Sequence, residues 1–140
     1  MVDVRDHVAE TSRGLSITVF VGKVCLTLIF FMNAFGVIDQ STAAHEMVAY
    51  GIPQAIVPAA IWGGRTLQLI AGAVLLWRRD WIATLACLAL VAFLIPATII
   101  AHSFWSAPPE VYGGQLVNFL KNLAMVGGLL AVGALSWRSQ

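Results

Sequence analysis

Seven polar side chains interrupt long apolar stretches of this 140-residue chain: Asn33, Arg65, Gln68, His102, Asn118, Lys121 and Asn122. Two are cations, four are amides and one is an imidazole; none is a carboxylate. Such a set donates hydrogen bonds, so its chemistry is recognition of an electronegative ligand rather than hydrolysis. No nucleophile–base pair, catalytic carboxylate pair or cofactor motif accompanies it, and an enzyme acting alone is not expected. Metal and haem ligation are not expected either. His7 lies in the polar N-terminal segment, while His45 and His102 stand singly, without an HxxxH or ExxH pairing. A quinone is the one cofactor left open, because it asks only for an apolar slot and one or two donors.

Arg65 is the residue around which the rest must be arranged. It sits in GGRTLQLIAGAVLLW (Gly63–Trp77), with Gln68 one helical turn away. Three basic residues fall within apolar runs, Lys23, Arg65 and Lys121, and no aspartate or glutamate does. Even on the lenient insertion scale, a charge at mid-bilayer costs ~2.5–3.5 kcal/mol, so each needs a reason. Lys23 and Lys121 can snorkel, Lys23 toward the inner surface and Lys121 toward the outer. Asn118 and Asn122 accompany Lys121 on a polar helix face. Arginine cannot shed its proton in compensation. Two readings of Arg65 stand: it ties helices together through carbonyls and amides, or it faces a ligand. Partners within reach are Gln68, Asn33 and carbonyls freed near Pro96. Asp39 or Glu46 would serve only by folding into the bundle.

The elements that position these groups follow from composition. The chain is 59% hydrophobic and only 11% charged, and its mean hydropathy is +0.84. That is a membrane composition, not a soluble one. A net charge of +1 and the lack of any basic run exclude nucleic acid as a partner. Four apolar runs, roughly 15–38, 53–77, 81–101 and 116–137, each reach the ~20 residues that cross a bilayer. With no water to satisfy bare backbone, they must be helices. The expected fold is all-α: a four-transmembrane-helix bundle over residues 15–137, with polar tails at 1–14 and 138–140. The first run is too long for a signal peptide and reads as a retained span. Cys25 and Cys87 lie in apolar runs without a CxxC and read as packing residues.

Lysine and arginine set the orientation. Arg5, Arg13, Arg78, Arg79 and Arg138 flank one side, whereas the loops 39–52 and 102–115 carry neither residue. Positive-inside bias places both termini in the cytoplasm. Ser41 is a helix N-cap and Gly51 with Pro53 a stop, so the first outer loop holds a short interfacial helix with Ala44, Met47 and Val48 on its apolar side. Pro108 and Pro109 stiffen the second outer loop and Gly113–Gly114 loosen it. Ala60/Gly64 and Ala124/Gly128 allow the second and fourth spans to approach. Pro96 should kink the third or free a carbonyl. On this topology the seven polar residues line one cavity open to the outer face, with His102 at its rim.

The chain resembles the DoxX family of small four-helix membrane proteins. The residues that carry the likeness are STAAHEMVAYGIP (Ser41–Pro53), LQLIAGAVLL in the second span, and HSFW followed by NFLKNLAMVGGLL. It extends over nearly everything after the N-terminal tail. Members often have a lysine where this chain reads FGVID, and an acid at the position of Gln68, so the polar core here is rearranged. The resemblance implies a cell inner-membrane protein. Relatives include small subunits of quinone-linked sulfur oxidation or terminal oxidase complexes, and others partner thiol-handling enzymes. The expected function is a non-catalytic accessory subunit of a quinone-linked or thiol-redox complex, with the bilayer, a larger redox enzyme or a second copy as partners. A carrier for a small anion or lipid-like molecule, or a structural assembly factor, is the alternative.

Overall fold

A computed structural model describes residues 4–38 and 41–137, with side chains from residue 14 onward. Asp39, one partner considered for Arg65, and the tails at 1–3 and 138–140 lie outside the described residues. The described chain is helical: α1 (Val4–Ala34), α2 (Ser41–Ala49), α3 (Val57–Trp77), α4 (Trp81–Ala101) and α5 (Pro109–Trp137), with a 3-10 turn at Phe104–Ser106. Four of these helices are long and apolar enough to span a bilayer. Large side chains that a soluble protein would bury stand exposed along them, among them Leu15, Ile70 and Leu123. That surface suits lipid. The chain is a multi-pass membrane protein, as its composition required.

The helices close a ring in which α1 packs on α3, α3 on α4 and α4 on α5, while α5 meets α1 over a smaller contact. The second and fourth spans, α3 and α5, do not pack together, contrary to the expectation from their small-residue pairs. Those glycines serve other neighbours. A Cβ at Gly64 would stand 2.8 Å from the Phe93 ring of α4, and one at Gly128 would stand 3.0 Å from Leu26 of α1. The spacing fixed that each helix was approached closely, but not by which partner. Inside the ring, Phe30, Leu75, Cys87, Leu90, Leu94 and Leu129 form a dry core.

Helix ends explain the boundaries. The α1 helix winds back into the polar segment as far as Val4 and stops at Ala34, before Ile38. There Gly36 takes φ +75°; its N–H bonds to Asn33 and that of Val37 to Met32, a Schellman closure. Gly51, at φ +91°, closes α2 in the same way onto Val48 and Met47. Pro58 stands in the first turn of α3, where its missing N–H has no cost. Asp80 caps α4 by accepting from the Ile82 N–H at 3.1 Å. The α4 helix continues through Pro96. The α5 helix begins at Pro109 instead of Leu116, so Gly113–Gly114 are helical and not a loosened loop.

Polar side chains stitch neighbours. Thr84 donates to the Gly133 carbonyl at 2.9 Å, and Asn122 donates to the Thr98 hydroxyl at 3.0 Å. Both bonds join α4 to α5. Lys23 is buried and donates to the Arg78 carbonyl at 2.8 Å, so it does not snorkel to the surface.

Candidate functional site

The α2 end of the bundle encloses a cavity of about 350 Å³. All four spans and α2 contribute to its wall. Polar groups come from Asn33 of α1, Glu46 of α2, Arg65 and Gln68 of α3, His102 at the end of α4, and Asn122 of α5. Apolar groups complete it, chiefly Phe30, Ile38, Phe93, Leu94 and Ile100. A volume above ~300 Å³, apolar walls and a few converging polar groups are the marks of a small-molecule site.

Arg65 lies two turns into α3, about 12 Å from the first residue of that helix by the helical rise. Its guanidinium carbon sits 5.4 Å from the centre of the Trp62 ring, at cation–π distance. Gly36 lets it lie there: a Cβ at that position would stand 3.2 Å from Nη2. The Arg65 Nε is buried and has no hydrogen-bond partner. Among the described residues the guanidinium makes no ion pair either; Glu46 lines the same cavity beyond bonding distance. An unsatisfied N–H on a charged group is costly, and a ligand oxygen is the simplest remedy. The helix-tying reading of Arg65 finds no bond to support it among the described residues.

The amides are more firmly held. Gln68, buried at 2% exposure, accepts from the Asn33 amide at 2.9 Å and donates to the Gly64 carbonyl at 3.1 Å. One amide thus joins α1 to α3 beneath the guanidinium. The His102 Nδ1 meets Gln115 at 2.9 Å, which fixes the ring at the rim. Asn122 reaches Thr98, whose hydroxyl bonds back to the Leu94 carbonyl at 2.6 Å.

Five of the seven sequence-predicted residues therefore meet around one space: Asn33, Arg65, Gln68, His102 and Asn122. Asn118 and Lys121 do not line it. Lys121 is exposed on α5 and Asn118 only partly covered; Asn122 is the residue of this group turned to α4, through Thr98, and Lys121 lies about 100° round the helix from it. Conversely, Glu46 and Thr42 were not among the expected site residues. The α2 helix packs on α3 and α4, and Thr42, Ala43, Glu46 and Met47 face the cavity. Val48, assigned to the apolar side, is 46% exposed. The signal was present in the spacing: Thr42, Ala43, Glu46 and Met47 make one i, i+1, i+4, i+5 face. A lone glutamate among apolar residues had concealed it. Burial raises the Glu46 carboxyl above its ordinary range, and the nearby His102 opposes this only in part.

Both cysteines are free, Cys87 buried and Cys25 exposed on α1. Among the described residues, no three histidine, cysteine or acidic side chains gather as a metal site would require. Comparison of the chain with protein-family models, curated proteins and solved structures finds no match.

Proposed function

We propose that the cavity binds an amphiphile through an oxygen acceptor placed against Arg65, and that a quinone is the ligand class it suits. The observation that carries this reading is the buried, unpartnered Arg65 Nε beside a largely apolar chamber. A quinone carbonyl would accept from the Arg65 guanidinium, which would shift to engage it, while its ring rested on Phe30 or Phe93. Glu46 shares the chamber, which disfavours a small free anion and favours a neutral acceptor. Kinship with the DoxX family is part of the same proposal. On this reading the protein is a non-catalytic accessory subunit of a quinone-linked or thiol-redox assembly in the inner membrane. It presents quinone to a larger enzyme and does no chemistry of its own.

The test is binding of a decyl-tailed benzoquinone to the full chain in nanodiscs. Arg65→Leu should weaken binding about tenfold or more, the order of one lost hydrogen bond to a charged donor. Helicity should be retained. Equal binding by wild type and variant would end the quinone reading. Crosslinking in native membranes examines the subunit assignment, which fails if only copies of this chain are captured. Carriage of a lipid-like molecule is a second reading favoured by the same unpaired donor, and Arg65-dependent transfer of lipid between vesicles would establish it instead.

A further inference from the structure

The cavity does not end at Arg65. Six of its wall residues, Met47, Ala60, Gly64, Phe93, Ala97 and Ile100, also line a groove of about 410 Å³ between α3 and α4. That groove in turn shares Gly63, Leu67 and Ala89 with a shallower trench running on toward Val74 and Ile82. From Ile100 to Ile82 the strip is about 27 Å long by the helical rise, close to the ~30 Å of bilayer hydrocarbon. Its cause is side-chain size. Gly63, Ala89 and Ala92 leave an open furrow where larger residues would bring α3 and α4 together.

Building on the quinone reading above, we infer that the ligand carries an apolar tail that lies in the α3–α4 groove, and that it enters sideways from the lipid, past Phe93. Three observations converge. Helix α2 packs on α3 and α4 and sets Thr42, Ala43, Glu46 and Met47 in the chamber wall above the groove, so a molecule lying in that groove reaches the chamber from the side. The groove borders, across six shared wall residues, a chamber that holds a buried unpaired donor, so one molecule with a head in the chamber and a tail in the groove would serve both; a bilayer lipid lying only in the groove would leave the Arg65 Nε unanswered. Phe93 stands at the junction and borders both spaces, its ring laid against the bare backbone of Gly64. On this inference, rotation of that ring would join them. The ligand class is accordingly a single-tailed amphiphile with an oxygen-bearing ring, such as an isoprenoid quinone.

The experiment uses the full chain in phosphatidylcholine nanodiscs with two photoreactive probes. One is a benzoquinone with a diazirine at the tip of a long alkyl tail; the other is the same headgroup without a tail. The tail probe should label α3 between residues 63 and 74 or α4 between residues 82 and 92, and should do so only when Arg65 is present. Ala92 is exposed on the groove, so Ala92→Trp should be tolerated by the fold. It should weaken the tailed probe about tenfold, the order expected when about two methylenes lose apolar contact, and leave the tailless probe unchanged. Phe93→Ala should speed labelling by the tailed probe. Arg65-dependent binding with tail labels on α1, α5 or α2 would overturn the lateral groove while leaving the chamber reading intact. Loss of both probes from Ala92→Trp together with an unaltered Phe93→Ala rate would overturn it as well. Binding of neither probe to wild type would overturn both readings.

Discussion

The ammonium of Lys23 on α1 donates to the main-chain oxygen of Arg78 at 2.8 Å, where α3 ends in extended backbone. A buried cation thereby closes the carbonyl end of a neighbouring helix, where the macrodipole favours positive charge. Lys23→Met leaves that carbonyl without its partner. It should lower stability in detergent by ~1–3 kcal/mol, as for a hydrogen bond to a charged group. Cys25→Ala, on the exposed side of the same helix, is the control and should unfold with wild type.

Adjacent glycines on α3 should respond oppositely to the same methyl group. Gly64→Ala would press against the Phe93 ring at 2.8 Å, whereas a Cβ at Gly63 meets nothing within 4 Å. Overpacking typically costs ~1–3 kcal/mol, while alanine in a free helical position gains up to about 1 kcal/mol over glycine. Thermal unfolding should therefore rank Gly63→Ala at or above wild type and Gly64→Ala below it. Equal midpoints would mean that Phe93 yields without cost.

Why was so much of the bundle legible and the site only in part? Spans announce themselves because lipid forbids unsatisfied backbone, so twenty apolar residues permit one answer. The short helix at Ser41–Ala49 was equally plain, although Ser41, expected as its cap, is its first helical residue, and Gly51 follows it. Neighbour relations were not, since all four spans are apolar on most sides and small-residue pairs do not name their partners. Arg65, Gln68 and Asn33 could be grouped because polarity in a membrane is rare enough to be informative. Glu46 was named only as a conditional partner for Arg65 and left out of the site, because a carboxylate on an outer-surface helix is ordinarily solvated. Its capture depends on α2 folding over α3 and α4, a tertiary event with no local signature.

Gln68→Glu offers a direct test of what Arg65 lacks. The carboxylate would stand one turn from the guanidinium on α3 and still accept from Asn33, but it could not donate to the Gly64 carbonyl. Arg65 would then have an acid at its own depth, and Coulomb attraction in a poorly solvated site is strong. Quinone binding to the nanodisc-embedded chain should fall about tenfold or more, as after loss of one charge-assisted bond. Helicity should be retained. Undiminished binding would show that the guanidinium is not the group that holds the ligand.

At the opposite end of the bundle, Asp80 is held below its ordinary carboxylate value by its hydrogen bond from Arg78, with a smaller opposing effect of desolvation. A depressed folded value means that the stabilisation is present above the ordinary value of 3.8. It is lost as pH falls through the lower, folded one. Asp80→Asn keeps an N-cap acceptor for α4 but removes the charge. The variant should unfold earlier than wild type near neutral pH, and the gap should narrow below about pH 4. A gap that persisted in acid would assign the effect to capping alone.

Glu46 should behave with the reverse sign. Burial where α2 packs on α3 and α4 raises its folded value above the ordinary 4.5, so the folded state holds the proton more tightly than the unfolded chain. Below 4.5 both states are protonated and no difference arises. As pH climbs through the raised value, the folded protein must ionise a poorly solvated carboxyl, and stability declines. Glu46→Gln removes this decline while keeping the shape. Melting curves from about pH 4 to about pH 8 should coincide at the acid end and diverge above it, the glutamine variant becoming the more stable. Because Glu46 faces the chamber that Arg65 lines, the same substitution should also flatten the pH dependence of quinone binding. A glutamine variant less stable than wild type at about pH 8 would mean that the carboxylate is paired with Arg65 in solution. The chamber would then have supplied its own acceptor.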